Sequence, residues 1–205
     1  VLGDGINYPT NAATIVRNGS ILGLTSIILS SISVDMYNKI KKETPDYADN
    51  FLKSFKLQDG KCIYSNKYIK KIIKYSVQHH TCLNMLYNFE PLDVINMCID
   101  NGFTIFMMEN DIKGNIHDAK MNQKKVLLIM GNERYGVREE IRRLYPEKIN
   151  PLYIPTCIDK SSMNVANAAI IGIYERGKQM KCLTATCSDK KTINKTPSSY
   201  ITDSK

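Results

Sequence analysis

Val126-Leu127-Leu128-Ile129-Met130-Gly131-Asn132-Glu133-Arg134-Tyr135-Gly136-Val137 is the stretch on which the reading of this chain turns. Its five consecutive apolar residues predict a strand buried on both faces, as in a parallel sheet, because a half-exposed strand would alternate polar and apolar positions. The run breaks at Gly131, and Gly136 follows in the same loop. Glycine has no Cβ and tolerates positive φ, so such a loop lets the backbone approach a ligand at the carboxyl edge of the sheet. The pattern is neither GxGxxG nor GxxxxGK[ST], so a dinucleotide or nucleoside triphosphate site is not supported. Taken alone, it is also the pattern of an ordinary strand-to-helix turn.

Working outward, helical and strand patterns alternate. Residues 138–144 read as a short helix, 152–154 as a brief strand and 163–178 as a final helix. Upstream, 103–108 read as an apolar strand preceded by a helix over 92–101 that stops at Asn101-Gly102. Lys67, Lys70, Lys71 and Lys74 recur at helical spacing opposite Tyr68, Ile69, Ile72 and Ile73, which predicts an amphipathic helix with a lysine face. At the start of the chain, 11–23 read as a helix and 25–30 as a buried strand. This alternation implies an α/β fold: a mostly parallel sheet with helices on both faces. From Ser31 to Asn66 the periodicity fades; that stretch reads as a lysine-rich insertion, with a helix suggested over 47–57. Residues 181–205 are too polar to offset their ordering entropy and read as a disordered basic tail. The domain is thus expected to occupy residues 1–180.

Two further stretches carry chemistry. Tyr8-Pro9-Thr10-Asn11-Ala12-Ala13-Thr14-Ile15-Val16-Arg17 places Asn11 as a candidate N-cap, with Arg17 nearly two turns further along the helix. Tyr153-Ile154-Pro155 is followed by Ser161-Ser162-Met163-Asn164-Val165, where Ser161 or Ser162 can cap the last helix and leave its first amides to a ligand or a neighbouring loop. Each stretch alone is also a plain capped helix.

Together and in order, the three stretches resemble the motifs of the SpoU (TrmH) branch of the SPOUT methyltransferases: Asn11 with Arg17, Gly131-Asn132-Glu133 with Gly136, and Ile154-Pro155 with Ser162, Asn164 and Val165. The resemblance covers about residues 5–30 and 68–178. It implies a C-terminal deep trefoil knot, S-adenosylmethionine as cofactor, a homodimer with active sites near the subunit interface, and methylation of a ribose 2′-hydroxyl of tRNA or rRNA. By the same resemblance Asn11, Arg17, Glu133, Ser162 and Asn164 are the catalytic side chains. Met130, Gly131, Asn132, Gly136, Ile154, Pro155, Ser162 and Met163 are the cofactor contacts. Tyr8, Ala13 and Met163 depart from the family pattern, the first two at positions that bear on substrate fit. A non-catalytic RNA-binding protein on the same scaffold and a base-modifying SPOUT enzyme are the rival readings.

Composition agrees with a polyanionic partner. The net charge is +8, and all of the excess falls in residues 35–75 and 181–205; a patchy basic balance of this kind suggests a polyanionic partner, of which nucleic acid is the commonest. Arg17, Lys67, Lys70, Lys71 and Lys74 are the candidate RNA contacts, and a merely solvated lysine face is the bland alternative for the four lysines. The six cysteines show no CxxC pair and read as free thiols of a reducing, intracellular compartment. No apolar run approaches the roughly 20 residues of a membrane span. His79-His80 offers no third ligand, so no metal is expected. The chain opens on Val1 in a structured-looking motif and reads as a piece of a longer polypeptide.

Overall fold

The computed structural model describes residues 1–43, 53–58, 60–110, 112–158 and 162–183. Its centre is a six-stranded, wholly parallel sheet: β1 (Leu2–Asp4), β2 (Ser26–Ser30), β6 (Asn84–Phe89), β7 (Thr104–Met108), β8 (Val126–Met130) and β9 (Ile149–Leu152), in the order β6-β2-β1-β8-β7-β9. Side chains alternate across a strand, and here both alternating sets are buried. Leu128 and Met130 of β8 face one apolar cluster with Phe106 and Met108, while Leu127 and Ile129 face the other with Ile105 and Met107. That is why the strand reads as an unbroken apolar run.

Helices cover both clusters. On one side lie α1 (Pro9–Ile21), α3 (Asn66–Tyr75) and α6 (Val165–Gln179); on the other lie α4 (Pro91–Asp100) and α5 (Glu139–Leu144). In α3 the expected apolar side is buried through Tyr68, Ile69 and Ile72, Ile73 is exposed, and so are all four lysines. The α1–α6 pairing closes over small residues. A Cβ on Gly19 of α1 would stand 2.8 Å from Leu24 and 3.3 Å from Ile173 of α6.

Several expectations need correction. Residues 31–64 are not featureless where they are described: β3 (Ile32–Ser33), α2 (Val34–Glu43), β4 (Phe55–Gln58) and β5 (Lys61–Tyr64) form a helix and a three-stranded antiparallel sheet ordered β3-β5-β4. This unit docks through aromatic rings, Tyr64 lying 4.4 Å from Tyr68 and 4.6 Å from Phe55 between centroids. The helix suggested over 47–57 gives way at Phe55–Gln58 to a strand paired with β5; residues 47–52 of it lie outside the described residues. The strand expected at 152–154 runs instead from Ile149 to Leu152. It hid because Pro151 interrupts it, which an edge strand tolerates since one side of its ladder is unused. Strands β1 and β6 carry no periodic signal, β1 being only three residues long. The expected C-terminal knot falls on a stretch that includes residues 159–161, and these, like residues 184–205 of the expected tail, lie outside the described residues.

Candidate active site

The loop after β8 closes on itself. Asn132 and Gly136 exchange both backbone hydrogen bonds at 2.9 Å, and the Asn132 side-chain oxygen accepts from the amides of Arg134 and Tyr135. A Cβ on Gly131 would collide with the Gly136 carbonyl carbon and the Val137 amide, so only glycine fits. Gly136 has φ +67, a conformation that residues with a Cβ rarely adopt, and a Cβ there would also push the Glu109 carboxylate aside.

Glu133 then reaches across to the first stretch. Its carboxylate accepts from the Asn7 amide at 2.8 Å, the Tyr8 amide at 3.0 Å and Asn11 Nδ2 at 2.8 Å. Asn11 Oδ1 in turn accepts from Asn164 Nδ2 at 3.2 Å, and Asn164 Oδ1 accepts from the amides of Ala166 and Asn167 at 2.9 and 3.3 Å. One line of hydrogen bonds therefore ties the glycine loop, the start of α1 and the start of α6 together. Two capping expectations change as a result. Helix α1 begins at Pro9 with Tyr8 as N-cap, so Asn11 lies inside the first turn with its amide group free to meet Glu133. The cap of α6 is Asn164 and not Ser161 or Ser162, so two of the first amides of α6 are taken by that side chain.

These segments wall a pocket of about 520 Å³, in the range of small-molecule sites. Met130, Gly131, Asn132, Glu133, Gly136, Ile154, Ser162, Met163 and Asn164 line it. Pro155 does not, although Ile154 beside it does. Arg17 is also outside the lining: it lies two turns along α1, exposed to solvent. Asn11 meets the pocket only through its bonds to Glu133 and Asn164. Lys67 and Lys71 line a separate concavity together with Tyr8, and Lys70 and Lys74 line neither.

Sequence reasoning missed the groups that hold this site from beneath. Asp4, fully buried, meets Arg138 through Nη2 at 2.6 Å and Nε at 2.9 Å, and accepts the Arg138 amide at 3.0 Å. Arg138 also donates to the Ser31 carbonyl at 2.7 Å and stands 3.4 Å from Glu90, whose carboxyl is pushed up by burial, with Arg138 opposing. The far end of the glycine loop is thereby clamped onto β1. Glu109 lines the pocket, accepts from the Val137 amide at 2.5 Å and pairs with Arg142 at 2.6 Å. An acidic residue just past a strand gave no signal, because its partners lie 28 and 33 residues away. Among the described residues no group of three His, Cys, Asp or Glu side chains could hold a metal ion, and no helix is long and apolar enough to cross a membrane.

The sequence model of the SpoU rRNA Methylase family matches residues 60–174. A curated relative, an uncharacterized tRNA/rRNA methyltransferase of Borreliella burgdorferi, is 37% identical over 92 residues, 44% of this chain and 38% of its own length. The solved structure of the SpoU methyltransferase AviRb from Streptomyces viridochromogenes, in complex with the cofactor AdoMet, superposes with a TM-score of 0.62 at 20% identity, covering 87% of this chain and 56% of AviRb. A structure solved for insight into the 2-OH methylation of C/U34 on tRNA superposes with a TM-score of 0.62 at 16% identity, over 88% of this chain and 95% of its own. This chain therefore spans less than half of the curated relative and a little over half of AviRb. The two structural likenesses speak for the fold. The sequence match extends over more than half of the chain and includes both the glycine loop and the loop before α6, and on that ground the chain belongs to the SpoU rRNA Methylase family.

Proposed function

We propose that this chain transfers a methyl group from S-adenosylmethionine to a ribose 2′-hydroxyl of tRNA or rRNA. The observation that carries the reading is the Glu133–Asn11–Asn164 line of hydrogen bonds, which joins three sequence-distant loops around one pocket. The pocket fits the cofactor: about 520 Å³ of space, bare backbone at Gly131 and Gly136, and apolar walls from Met130, Ile154 and Met163. AviRb, on the same fold, holds AdoMet, and the tRNA protein bears on 2-OH methylation. When bound, S-adenosylmethionine supplies an electrophilic methyl on a sulfonium.

The chain's own groups do the rest. Met130, Gly131, Asn132, Gly136, Ile154 and Met163 hold the cofactor, and Ser162 and Pro155 shape the loop above it. Glu133, Asn11 and Asn164 act as positioning residues that keep the three loops in register, because near-attack geometry contributes several kcal/mol to a two-substrate reaction. Arg17 engages the RNA phosphate and the reacting hydroxyl, because a guanidinium presents a planar fork of N–H donors that matches phosphate oxygens. Its exposed place on α1, outside its own chain's pocket, supports a homodimer in which a second copy presents Arg17 to this pocket.

The test is to incubate the chain with methyl-labelled S-adenosylmethionine and total RNA, digest, and locate the label. Label on ribose 2′-oxygens is the expected result. Label on a base would replace this reading with a base-modifying one. No label, with no heat of cofactor binding by calorimetry, would leave a non-catalytic RNA-binding scaffold.

A further inference from the structure

The lysine face of α3 is divided by the fold. Lys67 and Lys71, one turn apart, line a concavity of about 340 Å³ together with Lys53 from the segment before β4, while Lys70 and Lys74 do not. No carboxylate is among the described residues that line it. Three ammonium groups around one hollow concentrate a positive field there. Lys67 also lies in the first turn of α3, where the helix dipole disfavours a cation, and neither α1 nor α3 has an acidic residue in its first turn. An anion seated there would offset the conflict of Lys67 with the dipole and lie within reach of all three ammonium groups. The hollow is rigidly built, since Tyr68 is buried and its hydroxyl donates to the Ile6 carbonyl at 2.7 Å. Its wall is shared with the active-site pocket: Asn7 and Tyr8 line the hollow, and their amides are the ones that Glu133 accepts.

We propose that Lys53, Lys67 and Lys71 form a subsite for a single phosphodiester of the RNA strand whose ribose is presented to the neighbouring pocket. The proposal rests on the RNA-methylating reading above. It also explains what the 31–66 segment does for the reaction, which is to bring Lys53 to a substrate phosphate beside the site.

The probe is a fluorescein-labelled oligouridylate of about twelve nucleotides, a length within the usual span of single-strand sites. Its binding to the whole chain, without cofactor, is followed by anisotropy across a salt series. One phosphate held jointly by three lysines predicts non-additive losses. Because the slope counts phosphates neutralised and not lysines, the triple Lys53→Gln/Lys67→Gln/Lys71→Gln variant should flatten the log–log salt slope by about 0.7 in all, and Lys67→Gln or Lys71→Gln alone by no more than that. That corresponds to about fivefold weaker binding near 0.1 M salt. All three side chains are exposed, so the variants should keep the parent melting temperature. A slope loss of about 2 in the triple variant, no loss of slope in that variant, or no measurable binding by the unaltered chain would overturn the subsite. Calorimetry with S-adenosylmethionine separates the two claims. Cofactor binding with an unchanged slope sinks the subsite alone, and a lysine-dependent slope without cofactor binding sinks the methyl-transfer reading alone.

Discussion

Replacing Glu133 by glutamine tests the network around which the site is built. The carboxylate accepts three hydrogen bonds, one at Oε2 from the Asn7 amide and two at Oε1 from the Tyr8 amide and Asn11 Nδ2. A glutamine can offer only one oxygen. If that oxygen takes the Oε1 place, the side-chain amide points its hydrogens at the Asn7 N–H, so one bond is lost and two donors face each other. A hydrogen bond to a charged acceptor contributes about 1.5–3 kcal/mol, and the two bonds that remain fall to the neutral range. Glu133 is half-buried, so the lower end applies, and the expected destabilisation is about 2 kcal/mol. For a chain of this size that is a fall in Tm of about 4–8 °C. Thermal melts and urea titrations of Glu133→Gln measure it, and a double-mutant cycle of Glu133→Ala with Asn11→Ala should show coupling of about 1 kcal/mol. Calorimetry should show weaker S-adenosylmethionine binding in the same variant. A change below about 0.5 kcal/mol with additive single effects would refute the claim that this carboxylate ties the loops together.

Other consequences follow from the same geometry. Arg138→Met strands the fully buried Asp4 and should cost about 3–5 kcal/mol in urea denaturation, whereas Asp4→Asn combined with Arg138→Met should recover most of it. Gly136→Ala must adopt φ +67 against the Glu109 carboxylate; a loss of at least about 1 kcal/mol is expected, with weaker cofactor binding by calorimetry. Asn164→Ala removes the α6 cap and should lower stability by about 1 kcal/mol in thermal melts. Arg17→Ala should abolish methyl transfer to RNA while leaving S-adenosylmethionine affinity close to that of the parent chain; full activity would exclude its role.

The elements legible in the chain are those whose surroundings are uniform along their length. β8 is legible to its exact ends because a strand buried on both faces must be apolar throughout, and α3 because its two faces meet different solvents. The small antiparallel sheet of residues 32–64 leaves no pattern because its strands run only two to four residues and its anchor is an aromatic stack with Tyr68. β9 is hidden because an edge strand tolerates the proline that would forbid a central one.

Of the site, the residues by themselves pointed to a strand that breaks into a loop with glycines at 131 and 136, where the backbone can come close to a ligand. Asn11, Glu133 and Asn164 stood out only through the resemblance of the three ordered stretches to the family motifs, since each stretch alone also reads as a capped helix or an ordinary turn. Only the tertiary structure decided which of them touch. Glu133 finds its partners 122 to 126 residues away, and the buried Asp4–Arg138 pair spans 134. Such pairings depend on strand order, since β1 lies between β2 and β8 and so brings the start of the chain beside the loop that follows β8. No local pattern records a neighbour made by a crossover, which is why the charged clamp under the glycine loop became visible only in the folded chain.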